Sequence, residues 1–337
     1  MNTKKMNINY SIQSGIPFLI VIFLLSACNQ SSTSQEKAAS SSKNSISPSR
    51  ETSFPETVNL IEVKTEYMNF IMPDKIPSGW NTFRYANESN LTHFMSFDKL
   101  PIYEGEQKTL HDFEEVAVIF QDAMDLINAG KNEEAYAEFA KFPAWNADMV
   151  FMGGVGLVSP GETAQTTVYL EPGEYVVECY VKTAGKFHPM AKQITVLREA
   201  SQASAPEPTV NITVSKKGGI SVDREPIPGL HTVAVHFADQ ALHEHFLGHD
   251  VHLARLDNLT DIDSLNSWMN WSVPGGLETP APATFVGGTQ QMPEGNTAYF
   301  TVNLEPGRYA WIAEVPNPLS KNMLKTFEVP TKLATTE

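Results

Sequence analysis

The sequence predicts an all-β protein built as two tandem Greek-key β-sandwiches, and three observations predict it. Apolar side chains alternate with polar ones over residues 82–85, 166–170 and 232–237, between turns rich in Pro and Gly. That is the pattern of short antiparallel strands with one buried face. A block of residues then recurs far along the chain, so one sandwich has been written twice. Finally, residues 200–208 are rich in Ala, Ser and Pro and read as a linker between the copies.

The repeat fixes the organisation. Gly153-Gly154, Pro160-Gly161, Val168, Leu170-Glu171-Pro172-Gly173 and Tyr175 return as Gly287-Gly288, Glu294-Gly295, Val302, Leu304-Glu305-Pro306-Gly307 and Tyr309, always 134 positions later. The starts match more loosely. Ile76-Pro77-Ser78-Gly79 answers to Ile227-Pro228-Gly229, and His93 to His249, which lies 156 positions on. The second copy therefore lacks 22 residues in its middle. The first domain is expected over 56–199 and a degenerate second over 209–330. A helical insertion at 109–142 accounts for the difference. Leu110, Phe113, Val116, Ala117, Phe120, Met124 and Ile127 recur at helical spacing, with Thr109 as cap and Gly130 as stop. A second short helix, 133–142, ends before Pro143. The apolar stripe of the insertion reads as core packing.

The N-terminus reads as a targeting segment. Lys4 and Lys5 precede an apolar run at 16–25, too short to span a bilayer, and Leu25-Ser26-Ala27-Cys28 follows. This matches the lipobox of bacterial lipoproteins: a signal peptide at 1–27 and a diacylglycerol on Cys28. With Asn29 and no Asp after the Cys, an outer-membrane anchor is expected in a Gram-negative cell. Residues 28–55 are Ser-rich with almost nothing apolar, a flexible tether. The chain carries a formal charge of −15, and removing the leader takes two lysines and no acids. That disfavours nucleic acid and electrostatic binding to anionic lipid. The membrane is instead met through the N-terminal lipid, and the partner is expected to be a redox or envelope protein.

With Cys28 used, one thiol remains. Cys179 ends the strand-like Gly173-Glu174-Tyr175-Val176-Val177-Glu178-Cys179, and His188 and Met190 follow. A thiolate, an imidazole and a thioether are donors of a copper electron-transfer site. His93, within Asn87-Glu88-Ser89-Asn90-Leu91-Thr92-His93-Phe94-Met95-Ser96-Phe97-Asp98, is the candidate distant imidazole. Over about residues 58–197 the chain resembles the plastocyanin-like cupredoxins. His93 with Phe97-Asp98, then Gly173, Tyr175 and Cys179, then Met190, Ile194 and Val196 carry the resemblance. It implies a copper ion held by His93, Cys179, His188 and Met190, serving one-electron transfer or copper handling. The Cys179 to Met190 loop is longer than the family's, and His188 stands closer to Met190. The alternative is a buried structural thiol in a metal-free sandwich pair that acts as a surface interaction module. In the second copy Ala313, Asn322 and Leu324 stand for Cys179, His188 and Met190, so only His249 survives.

Six of the nine histidines crowd into residues 231–252. His243, His245, His249 and His252 form a possible second metal site for Zn²⁺, Cu²⁺ or Ni²⁺. A solvated polar loop is the other reading, since strand alternation puts His249 and His252 on opposite faces. The chain shows no Gly-x-Ser-x-Gly elbow, no His-Glu-x-x-His, no phosphate loop and no evident carboxylate pair. Nothing in it argues for hydrolase or transferase chemistry.

Overall fold

The computed structural model describes residues 58–187, 190–244, 248–273 and 275–331. The leader, Cys28 and all of the tether lie outside the described residues, as do His188 and His245. The first copy runs β1 (Leu60–Glu66), β2 (Asn69–Ile71), β3 (Lys75–Asn87), β4 (His93–Lys99) and the small hairpin β5 (Ile102–Tyr103) with β6 (Glu106–Gln107). Helices α1 (Leu110–Asn128) and α2 (Asn132–Phe139) follow. Then come β7 (Val150–Val158), β8 (Thr163–Leu170), β9 (Gly173–Cys179), the hairpin β10 (Lys182–Thr183) with β11 (Lys186–Phe187), and β12 (Met190–Ala200). The second copy has β13 (Val210–Ser215), β14 (Gly219–Val222), β15 (Gly229–Phe237), β16 (Val251–Leu256), helix α3 (Ile262–Trp268), β17 (Thr284–Thr289), β18 (Thr297–Leu304), β19 (Gly307–Ile312) and β20 (Leu324–Val329).

Strand alternation decides what is buried. Ile61, Val63 and Thr65 of β1, and Val210, Ile212 and Val214 of β13, point into the sandwich while their neighbours face solvent. In each copy, eight strands form two layers. The first copy orders them β2-β1-β3-β8 and β12-β9-β4-β7; the second orders them β14-β13-β15-β18 and β20-β19-β16-β17. The two lists correspond strand for strand, and in each the first and third strands are parallel neighbours. Both are two-layer β-sandwiches with the same strand order.

The copies are joined by strand pairing as well as by the 200–208 segment. β7 pairs antiparallel with β17, and β8 with β18, so both layers run continuously from one copy into the other. Val155 faces Thr289, and Thr166 faces Phe300. Each pair is separated by the repeat offset of 134, so equivalent positions meet each other and a pseudo-twofold axis passes through both contacts. The physical reason is edge protection. β7 and β8 would otherwise end each sheet with unpaired backbone groups, and their twins satisfy them. The repeated Gly-Gly belongs to this arrangement. At Gly154 (φ +147°) a Cβ would run into the Met95 carbonyl, and at Gly288 (φ +129°) into that of Val251.

The helical insertion falls where the spacing placed it. The backbone N–H and hydroxyl of Thr109 both donate to the Asp112 carboxylate, at 2.8 and 2.7 Å, and Gly130 leaves the helix at φ +74°. Its apolar stripe covers the outer face of the β12-β9-β4 layer. Phe113 packs with Leu100 and Val176, and Phe120 meets Phe139 and Trp271 at a tilt and Phe187 edge-on. Covering that face is why β4 is buried on both sides.

Candidate metal centre

Three of the four predicted donors sit on three adjacent strands. His93 opens β4, Cys179 closes β9 and Met190 opens β12, where it is the direct cross-strand partner of Cys179. His93 Nδ1 lies 3.3 Å from Cys179 Sγ. His93 and Cys179 are fully buried, and Met190 is nearly so. The approach to His93 is fixed by Asn87, whose side-chain amide donates to the carbonyls of Leu91 (2.7 Å) and Val158 (2.8 Å). Its Oδ1 accepts the Ser89 N–H at 3.1 Å, closing an Asx turn that presents the histidine strand. His188, the fourth donor, lies outside the described residues.

Burial dominates the electrostatics. It pushes the Cys179 thiol up to about 12 and pulls His93 down to about 4, so at neutral pH both are uncharged. The environment of the sulfur nevertheless suits a thiolate: the backbone N–H of Phe94 donates to Sγ at 3.5 Å, and that of Val181 also points at it. A cation beside the sulfur offsets the desolvation that keeps the thiol protonated. The donor spacing also fits an ion, because first-row metals bond nitrogen and sulfur at about 2.0–2.3 Å, close enough for one ion to touch both.

The long Cys179–Met190 loop has its own structure and its own support. It contains the β10–β11 hairpin, which docks on the second copy: Lys182 N–H donates to Leu277 O, and the amides of Ala184 and Gly185 donate to the Glu278 carboxylate at 2.5 and 2.9 Å. Lys182 is fully buried, with Nζ donating to the carbonyls of Trp271 and Val273, each at 2.8 Å.

The histidine-rich segment divides. His249 and His243 come together, His249 Nδ1 3.2 Å from His243 Nε2, while His249 Nε2 donates to Asp239 O at 2.8 Å. His252 belongs elsewhere, so the predicted four-histidine grouping does not form as drawn; His245 lies outside the described residues. The cause is the strand alternation between His249 and β16. His252 Nδ1 accepts the Leu157 N–H at 3.0 Å, and its Nε2 donates to Asp250 at 2.9 Å.

The sequence reading missed a buried polar cluster at the junction of the copies. Asp250, His252 and Glu314 bring three ligand-type atoms within 4.8 Å of one another. Tyr180 donates to Glu314 Oε1 at 3.2 Å, and the Glu314 N–H donates to Asp250 at 2.7 Å. The His252 tautomer argues against a metal here. With Nδ1 accepting an amide, the neutral ring must carry its proton on Nε2, the atom that would have to ligate. Nearby, Asp98 and Glu178 form the carboxylate pair that no motif revealed. Burial raises Asp98 to about 6 and holds Glu178, against Asp98, well above the carboxylate range. The one available signal was Glu178, an acid in a valine-rich strand beside Cys179.

No protein-family model matches the chain, and no curated protein matches it. Among solved structures, it is similar to auracyanin A, a blue copper protein of the green thermophilic photosynthetic bacterium Chloroflexus aurantiacus, at 17% identity over 42% of this chain and 100% of that one, with a TM-score of 0.27. The reduced auracyanin of Roseiflexus castenholzii matches at 15% identity over 42% of this chain and 98% of the other, with a TM-score of 0.25. The copper-containing nitrite reductase NirK of Thermus scotoductus SA-01 matches at 11% identity over 81% of this chain and 61% of its own, with a TM-score of 0.20. The two copies of this chain share one strand order, with parallel first and third strands in each.

Proposed function

We propose that the first copy binds copper through Cys179, His93 and Met190, with His188 as the fourth donor, and that a lipid on Cys28 holds the protein at the bacterial cell envelope. The 3.3 Å contact between His93 Nδ1 and Cys179 Sγ, with Met190 directly across the ladder from Cys179, carries the reading. Copper, when bound, supplies a one-electron couple. The chain contributes a thiolate steadied by backbone amides, an imidazole positioned by the Asn87 turn, a thioether suited to tuning the potential, and burial that excludes water. Binding requires the Cys179 proton to leave, so affinity falls as pH falls. The partner is a redox or envelope protein.

One equivalent of Cu²⁺ added to the full chain should give an intense thiolate-to-copper charge-transfer band. Cys179→Ser should abolish it, because a hydroxyl is too hard and too basic to replace the thiolate; His93→Ala should weaken or shift it. A chain that stays colourless and binds neither oxidation state of copper supports the second reading. In that reading the neutral thiol–imidazole contact is core packing, and the sandwich pair is an interaction module. The anchor is tested apart from the metal: fatty-acid label should be incorporated by the parent chain and lost in Cys28→Ala, and label kept by the variant removes the anchor.

A further inference from the structure

We propose that the second copy carries its own nitrogen-only metal site, formed by His243 and His249, for a borderline divalent ion such as Zn²⁺. The two repeats coincide at this spot. His249 stands 156 residues after His93, and Ala313 stands 134 after Cys179. In the first copy, the ring nitrogen Nδ1 of His93 faces a sulfur at 3.3 Å; in the second, the same nitrogen of His249 faces His243 Nε2 at 3.2 Å. With Ala313 fully buried and offering no donor, the imidazole of His243 has taken the sulfur's place as the partner of that nitrogen.

The hydrogen bonds settle the tautomers. Asp239 O can only accept, so His249 carries its proton on Nε2 and presents a lone pair at Nδ1. A ring whose far nitrogen donates to a backbone carbonyl is the usual arrangement of a metal-ligating histidine. A single proton, on His243 Nε2, then separates the two rings. His243 Nδ1 is buried and has no hydrogen-bond partner, so moving that proton to Nδ1 breaks no hydrogen bond there and frees Nε2 as a second donor. The cation would replace the shared proton. His249 is fully buried, held by Gln240 at both its N–H (2.7 Å) and its C=O (3.0 Å) and stacked on Phe237, so one ligand is preorganised. His243 lies nearer the surface, where water can complete the coordination. Imidazole nitrogen suits Zn²⁺, Cu²⁺ and Ni²⁺.

The test uses the full chain carrying Cys179→Ser, so that no thiolate site contributes, titrated calorimetrically with Zn²⁺ at neutral pH. One equivalent should bind. His243→Gln, whose amide can still donate to His249 Nδ1, should weaken binding at least about tenfold, and His236→Gln, on β15, should leave it unchanged. Each variant is also melted with and without Zn²⁺ and compared with its own metal-free melting temperature, so lower stability does not obscure the result. Zn²⁺ should raise the melting temperature of the parent and of His236→Gln, and not that of His243→Gln. Absence of Zn²⁺ uptake by the Cys179→Ser chain, or an isotherm unchanged by His243→Gln, overturns the proposal. Neither result touches the copper reading of the first copy, whose signal is the sulfur band.

Discussion

Replacing Lys182 with Met tests whether the second copy holds the loop between Cys179 and Met190. Lys182 is fully buried and donates to two backbone carbonyls of the second copy at 2.8 Å each, with its ammonium 5.2 Å from the Phe187 ring centre. Two hydrogen bonds from a charged group are worth about 1.5–3 kcal/mol each. Against them stands desolvation, which pulls the lysine from its ordinary 10.5 down to about 8. At about 1.4 kcal/mol per pH unit that penalty is roughly 3 kcal/mol, less where solvent still reaches the site. Met fills the space but leaves the carbonyls of Trp271 and Val273 without this donor. The net loss should be about 2 kcal/mol, a fall in melting temperature of roughly 3–4 °C for a chain of this size. Urea and thermal unfolding at pH 7 measure it. The sign with pH gives a second check. Because the folded lysine titrates below the unfolded one, the parent should gain stability relative to Lys182→Met as pH rises from about 8 to 10.5. Equal stabilities at pH 7, or a gap that narrows across that window, would refute the reasoning.

Three other outcomes follow from the same geometry. A chain cut after residue 200 leaves β7 and β8 as bare edges, so it should aggregate or self-pair, and gel filtration should find no stable monomer. Gly154→Ala drives a Cβ into the Met95 carbonyl and should cost about 3 kcal/mol or more, whereas Gly161→Ala (φ +78°, nothing within 4 Å) should cost about 1 kcal/mol in denaturant unfolding. Glu178 holds its proton far above the ordinary carboxylate range, so the folded state binds more protons than the unfolded one and stability falls as pH rises above about 4.5. Glu178→Gln should flatten that fall, measured as the urea midpoint at pH 5 and pH 8, and an unchanged slope would rule out this carboxyl as its source.

Strands and helices, and the closeness of His93, Cys179 and Met190, were legible because each rests on a local pattern. Period-two burial marks β1 and β13, helical spacing marks α1, and the residues around His93 and Cys179 carry a family resemblance. What stayed hidden depends on pairing between distant strands. Asp98 and Glu178 meet because β4 and β9 are neighbours, and no window of sequence contains both. The joining of the copies is equally non-local: β7 and β8 read as ordinary strands, and nothing within them says that their edges are taken by their own twins. The histidine cluster looked like one site because it is compact in sequence, but the chain turns His252 away to the Leu157 amide and Asp250. The Cys179–Met190 loop is long because it contains a hairpin that grips the other copy.

Equivalent residues therefore do different work in the two halves, and their differences fit together across the axis. Ser96 opposes Glu178 on β4 and β9, and His252 opposes Ile312 at the matching place on β16 and β19. Tyr180 and Glu314 occupy the same repeat position and bond to each other, so that position is filled once by a donor and once by an acceptor. Two carboxyls at this contact would repel unless one held a proton, whereas the Tyr180 hydroxyl is a donor that the Glu314 carboxyl accepts. The same holds at the loops. The second copy supplies the carbonyls and the Glu278 carboxylate that anchor the loop after Cys179, while the first supplies Leu157, whose amide fixes the tautomer of His252. Loss of the thiolate from the second copy is then no sign that this half is idle. Ala313 leaves that half without a thiol, but its Trp271, Val273, Leu277 and Glu278 hold the loop that joins Cys179 to Met190 in the other. A variant that loosens that hold should disturb the grouping of His93, Cys179 and Met190 without touching any of the three.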